Sequence, residues 1–240
     1  MNTIDPTTSL GDLVEQHPRL AREFERYGLD YCCGGGRSLA ESCAVKGLDL
    51  GQVVGELSTI AAAEPQAAEW SGMGAAQLCD HLEAVHHRYL WDELPRLSAL
   101  VAKIESVHGA RHPELAAVGR CYEEIRADLE PHLLKEERVL FPMVRELAAA
   151  ALATVSGPEF HCGTVRNPIS VMLAEHDRVG ELLAHLHSLT GGYQPPADGC
   201  ATYQACFAGL AELEADTHLH IHKENNVLFP MVVRLEAEIR

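Results

Sequence analysis

The chain has 240 residues, enough to bury a sizeable core in one large domain or in a large and a small one. Asp and Glu number 35 against 19 Lys and Arg, and the resulting net charge of -16 repels phosphate backbones and anionic lipid surfaces, which excludes nucleic acid and membrane as first partners. Met1 to Pro6 carries neither the basic stretch nor the apolar core of a signal peptide, and no apolar run approaches the ~20 residues of a membrane span, so a soluble cytoplasmic protein is expected.

Aromatic residues make up only 5% of a chain rich in Ala and Leu, a composition that predicts an all-α fold. Residues 1–63 read as a small helical domain. Pro18 suits the first position of a short helix ending near Gly28, Ser38 with Glu41 forms a capping-box pattern, and Asp49 caps a helix running to about Ala63. The adjacent thiols Cys32 and Cys33 lie between the first two, followed by Gly34, Gly35 and Gly36; a turn held by glycines would account for them, as would a thiol with a chemical role. A thiolate favoured by the start of the Ser38 helix is one form of that role. The other cysteines, such as Cys79, Cys121 and Cys206, stand singly in helical patterns and read as buried free thiols. Residues 64–74 form a linker to a second domain at 75–240.

That second domain repeats itself. Residues 132–144, HLLKEERVLFPMV, are echoed by residues 220–232, HIHKENNVLFPMV, and each copy has a histidine-bearing helical segment at a nearly equal distance upstream. Turns at 108–113 and 190–199 close two helical hairpins, and residues 154–168 join them, giving an up-down-up-down four-helix bundle.

On the second helix Val118, Tyr122, Ile125, Leu129, His132, Glu136, Val139 and Met143 fall on one stripe. On the fourth, Leu210, Leu213, Thr217, His220, Glu224, Val227 and Met231 do the same. Each stripe places a histidine one turn before a glutamate, facing the core, with no Lys or Arg on the stripe to balance the carboxylate. An unpaired buried carboxylate costs several kcal/mol, so cations are required. His176, on the stripe Ile169, Met172, Val179, Leu183, supplies a third imidazole, and either His86 or His87 on the first helix supplies a fourth. One such pair on a helix would be weak; two in duplicate, with matching upstream histidines, point to two metal ions. Mixed imidazole and carboxylate without thiolate suits iron, then manganese. With both glutamates and an oxo or hydroxo group bridging, about ten of roughly twelve octahedral sites are filled, which leaves room for nitric oxide or dioxygen. The remaining histidines, His17, His108, His112, His161, His185, His187, His218 and His222, are expected mostly at the surface, His222 because it points about 200° of helix rotation away from His220. Pro131 would distort the helix at His132, and Pro142 and Pro230 would bend their helices beyond the ligands.

These residues resemble the hemerythrin-like di-iron bundles, and more closely the iron-sulfur cluster repair di-iron proteins, the repair of iron centres family. The likeness covers nearly the whole chain: Asp30-Tyr31-Cys32-Cys33-Gly34-Gly35, the duplicated H-x-x-x-E with Val-Leu-Phe-Pro, Ile169 to Met172 leading to Glu175-His176-Asp177, and Asp80-His81 with Leu94-Pro95. The resemblance implies His132, Glu136, His176, His220 and Glu224 as ligands. It selects His87 as the sixth, six residues after His81, although His86 fits the stripe of Cys79, Leu82 and Leu90 better. Ordinary hemerythrins are expected to use a fifth histidine, so four imply a more open site. The implied function is repair of iron-sulfur proteins damaged by nitrosative or oxidative stress, by iron donation, with a role for Cys32 and Cys33. The alternative is a protein that binds or reduces nitric oxide. A homodimer is compatible with either.

Overall fold

A computed structural model describes residues 4–63 and 69–239, so that part of the expected linker, residues 64–68, lies outside the described residues. The described residues form helices and no strand; the one β-type contact is an isolated bridge between Ser9 and Ser38.

The small N-terminal unit has four helices: α1 (Leu10–Gln16), α2 (Leu20–Tyr27), α3 (Leu39–Lys46) and α4 (Leu50–Ala62). α1 is an addition to the expected set, opened by Ser9, whose Oγ accepts from the Asp12 N–H at 3.1 Å. Pro18 precedes α2 by two residues, and Gly28 ends that helix at φ +64°, a conformation glycine adopts without a Cβ penalty. The Ser38–Glu41 capping box opens α3, and Asp49 caps α4. Leu10, Leu13, Val14, Leu20, Phe24, Leu39 and Leu57 form the core of this unit.

Four long helical rods follow. The first is α5 (Ala75–Leu82) and α6 (Arg88–His108); the second is α7 (Leu115–Lys135) and α8 (Phe141–Ala153). The third is α9 (Arg166–Leu189), and the fourth is α10 (Ala201–His222) and α11 (Phe229–Ile239). α7 packs on α6 and α9, α10 packs on α6 and α9, and α5 and α11 pack on α8, closing the bundle around apolar layers. The loop between hairpins is shorter than its sequence suggests, because α9 starts at Arg166 and takes Pro168 into its first turn, where the missing N–H has no helical partner to lose.

Three rods are interrupted by a wide π-helical turn: Glu83–His87, Glu136–Leu140 and Lys223–Leu228. The second and third end just before Phe141-Pro142 and Phe229-Pro230. A proline ring clashes with the carbonyl four residues back, here Arg138 and Asn226, and a wide turn moves that carbonyl aside. The prolines thus mark widened turns where kinks were expected. The extra residue also resets the inward stripe: Val139, expected to face the core, is 40% exposed, and Leu140 takes its place at 1%. α7 runs unbroken through Pro131.

The small unit rests on the third wide turn. Asn226 Nδ2 donates to the carbonyls of Tyr31 and Cys32 at 3.2 and 3.0 Å. Gly35 permits this approach, since a Cβ there would lie 2.4 Å from the Tyr31 carbonyl oxygen and 2.7 Å from Asn226 Nδ2.

Candidate metal centre

Each wide turn carries residues of one buried cluster. His87 ends the first, Glu136 opens the second and Glu224 stands second in the third, with His132 and His220 one turn upstream of their glutamates. α9, which has no wide turn, brings His176 alone. Such turns concentrate at functional sites because they re-aim side chains that a regular helix would point elsewhere. The six residues expected from the sequence converge as two groups of four, His87, Glu136, His220, Glu224 and His132, Glu136, His176, Glu224, with the candidate ligand atoms in each all within 4.8 Å of one another. Both carboxylates belong to both groups.

The internal chemistry of this cluster fits cations. Both oxygens of Glu136 and of Glu224 are fully buried with no hydrogen-bond partner among the described residues, and Nε2 of His87 and of His220 is in the same condition. These atoms stand near one another without hydrogen-bonding geometry. Glu136 Oε2 is 3.2 Å from His132 Nε2 and 3.5 Å from His87 Nε2; Glu224 is 3.2 Å from Nε2 of both His176 and His220. The His132 and His176 Nε2 atoms are 3.2 Å apart. His176 Nδ1 lies 2.7 Å from the Asn225 side-chain oxygen, which can only accept, so the proton sits on Nδ1 and Nε2 offers a lone pair inward. A carboxylate on Nδ1 does the same for His132, through Glu175 at 2.9 Å, and for His87, through Glu137 at 3.1 Å. Lone pairs and carboxylates converging in a dry pocket are the donor set of a metal site, and the outer acceptors orient the rings and raise their basicity. The local electrostatics agree: burial opposes ionisation of Glu224, yet His220 and His176 hold it well below the ordinary carboxylate range.

His86 and His87 are both 1% exposed, but only His87 joins the cluster. His86 faces Asp216 and Lys223, at 2.8 and 2.7 Å. Burial, reinforced by Lys223, pushes His86 down to about 3.

Several expectations are corrected. His108 and His222 are buried: His108 under Tyr203 and against Cys200, His222 beneath the small unit, its ring edge on Tyr31. His222 does point away from His220, but the surface it points to is covered. His17, His112 and His218 are half-buried, leaving His161, His185 and His187 exposed. His132 is not turned away by Pro131. Cys32 is no low-pKa thiolate: its hydrogen bond to Cys33, its burial and the neighbouring Asp30 carboxylate push its thiol well above the ordinary range, and α3 begins only at Leu39. Asp30 accepts from the N–H groups of Cys32, Cys33 and Gly34 at 3.1, 2.9 and 2.9 Å, fixing the turn, with the two sulfur atoms 3.8 Å apart. All eight cysteines are free, and Cys79, Cys121 and Cys206 are buried. The thiol pair lines a cavity of about 610 Å³ between the small unit and α9–α10, with Tyr31, Lys46, His187 and His218.

Lys223, Glu137, Asn225 and Asp216 were not singled out in the sequence. Lys223 had one available signal, its place in the duplicated motif opposite Lys135. Lys135 pairs with Glu175 near the surface, whereas Lys223 is 2% exposed.

Residues 80–232 match the Hemerythrin HHE cation binding domain, and residues 6–61 match the Domain of Unknown function (DUF542). The iron-sulfur cluster repair protein YtfE of Escherichia coli is 34% identical over 222 residues, spanning 92% of this chain and 94% of its own. The protein of the same name from Escherichia fergusonii shows the same identity and coverage. With both of its regions matched and that likeness spanning nearly its full length, the chain belongs to the family of iron-sulfur cluster repair proteins built on a hemerythrin HHE bundle.

Proposed function

We propose that this chain restores iron-sulfur clusters damaged by nitric oxide or peroxide, by donating iron held by His87, His132, Glu136, His176, His220 and Glu224. The observation that carries this reading is the pair of cation positions sharing two buried, otherwise unpartnered carboxylates. Iron in them is both the resident ion and the cargo. Four imidazoles and two carboxylates leave the ions incompletely surrounded by protein, which favours release over permanent storage. Relatives 34% identical over 92% of this chain carry the repair name. The Cys32–Cys33 turn, which lines a cavity beside α9, supports a part for these thiols in passing iron to a client protein.

The test is recovery of a hydratase whose four-iron cluster has been damaged by nitric oxide. Iron-loaded protein should restore its activity, and iron-stripped protein should not. Equal recovery with both, or with neither, rejects donation.

A second reading rests on the same incomplete coordination: nitric oxide binds at the ions and is sequestered or reduced. Anaerobic titration with nitric oxide, with analysis of nitrous oxide, tests it, and an unchanged absorption spectrum rejects it.

A further inference from the structure

Three of the four imidazoles at the centre are held from behind by an acceptor on Nδ1: Glu175 for His132, Asn225 for His176 and Glu137 for His87. His220 is different. Its Nδ1 is buried with no hydrogen-bond partner among the described residues. A carboxylate stands one turn earlier on α10, at Asp216, but its Oδ1 is engaged by Nδ1 of His86 at 2.8 Å and its Oδ2 is buried without a partner.

His86 is fixed from its other nitrogen by Lys223. The ammonium donates to Nε2 of His86 at 2.7 Å and to Nε2 of His81 at 2.9 Å, and lies 4.2 Å from the centre of the Trp70 ring. Its three N–H bonds are thereby matched by three partners in a site closed to solvent, and His86 carries its proton on Nδ1. The ring so fixed lies parallel to His220, with centroids 5.4 Å apart and 5° between planes.

We propose that His86 is the positioning residue of His220, orienting that ring by stacking in place of a hydrogen bond, and that the position formed by His87 and His220 holds its ion more weakly than the one formed by His132 and His176. The inference rests on the di-iron reading above. An acceptor on the second nitrogen orients a ligating imidazole and raises its basicity, and its loss typically costs about 10–100-fold in metal affinity. Only His220 lacks one, so the ion beside it leaves first.

The test follows iron leaving the fully loaded, full-length protein to excess bipyridyl chelator under reducing, oxygen-free conditions, with Mössbauer spectra taken before chelation and after one equivalent is lost. The wild type should release its two ions in two equal phases separated by about 10–100-fold in rate. The iron remaining after the first phase should be half of the total and give a single quadrupole doublet. His86→Ala, which removes the stack, should accelerate the fast phase alone. His86→Phe, which keeps a flat ring and frees Asp216 for His220, should leave that phase unchanged or slower. Glu175→Gln should accelerate the slow phase alone. If His86→Ala does not fold, Lys223→Met replaces it, since releasing His86 should also speed the fast phase. A single phase in the wild type, or a substitution at His86 or Lys223 that speeds both phases equally, overturns the proposal. Biphasic release without cluster recovery would reject donation and leave this inference standing; recovery with single-phase release would do the reverse.

Discussion

On the proposed di-iron reading the centre depends most on Glu136 and Glu224, because each lies in both groups of four and neither oxygen pair has a hydrogen-bond partner among the described residues. Glu136→Gln keeps the shape of the side chain and removes the charge that two positions share. Iron content should fall from two per chain to one or fewer, and the rise in melting temperature on iron loading should shrink accordingly. Retention of two ions would show that the carboxylate does not bridge. A different residue-scale prediction concerns Cys200, exposed at the start of α10 with its sulfur 3.2 Å from His108 Nε2. The His108 hydrogen bond, helped by N–H groups of the helix start, lowers this thiol to about 7. Since the thiolate is the reactive form, iodoacetamide labelling of Cys200 should rise through pH 7, and His108→Phe should move that rise toward the ordinary thiol value. Mass spectrometry of the labelled peptide reads both.

At the scale of elements, the helical period in the sequence placed His132, Glu136, His176, His220 and Glu224 on inward faces, because each stripe is regular up to the glutamate. The wide turns were not legible. A one-residue widening leaves the upstream stripe intact and shifts everything after it, so Val139 was assigned inward when Leu140 is the buried residue. The same effect explains why periodicity alone favoured His86: a regular helix through Cys79, Leu82 and Leu90 selects it, and the turn at Glu83–His87 brings His87 to the cluster instead. Lys223 was illegible for another reason, since its burial depends on Trp70 and His81, which are distant in sequence. Deleting Val139 tests the purpose of the second turn. The deletion removes an exposed residue and returns the rod to a regular α-helix while keeping the register of α8. Helical circular dichroism should be retained, and iron content should fall because Glu136 and Glu137 lie inside the turn that is removed and would shift against His87. Undiminished iron would make the turn an accommodation of Pro142 and nothing more.

For the whole molecule, the question is how a small four-helix unit is tied to a buried centre. Asn225 and Asn226, neighbours on the third wide turn, face opposite duties. Asn225 accepts from the His176 ring and donates to the Cys32 carbonyl at 3.4 Å; Asn226 donates to the carbonyls of Tyr31 and Cys32. The thiol turn is thus connected to an imidazole of the centre through one amide side chain. Tyr31 reinforces the contact by packing edge-on against His218 and His222 of α10. Replacing Asn226 by Ala takes its donor from the Tyr31 carbonyl and leaves the Cys32 carbonyl with only the longer bond from Asn225, in a partly buried seam, at a cost of about 1–3 kcal/mol to docking. Cys32 is 5% exposed in the docked state, so its alkylation requires the small unit to lift. The change should therefore speed labelling of Cys32 by on the order of 10-fold, with iron content unchanged because Asn225 and the six clustered residues remain in place. Labelling at the wild-type rate would mean that Tyr31 and the close approach at Gly35 hold the unit without Asn226. A simultaneous loss of iron would show that the wide turn itself, and with it Glu224, depends on the docked unit.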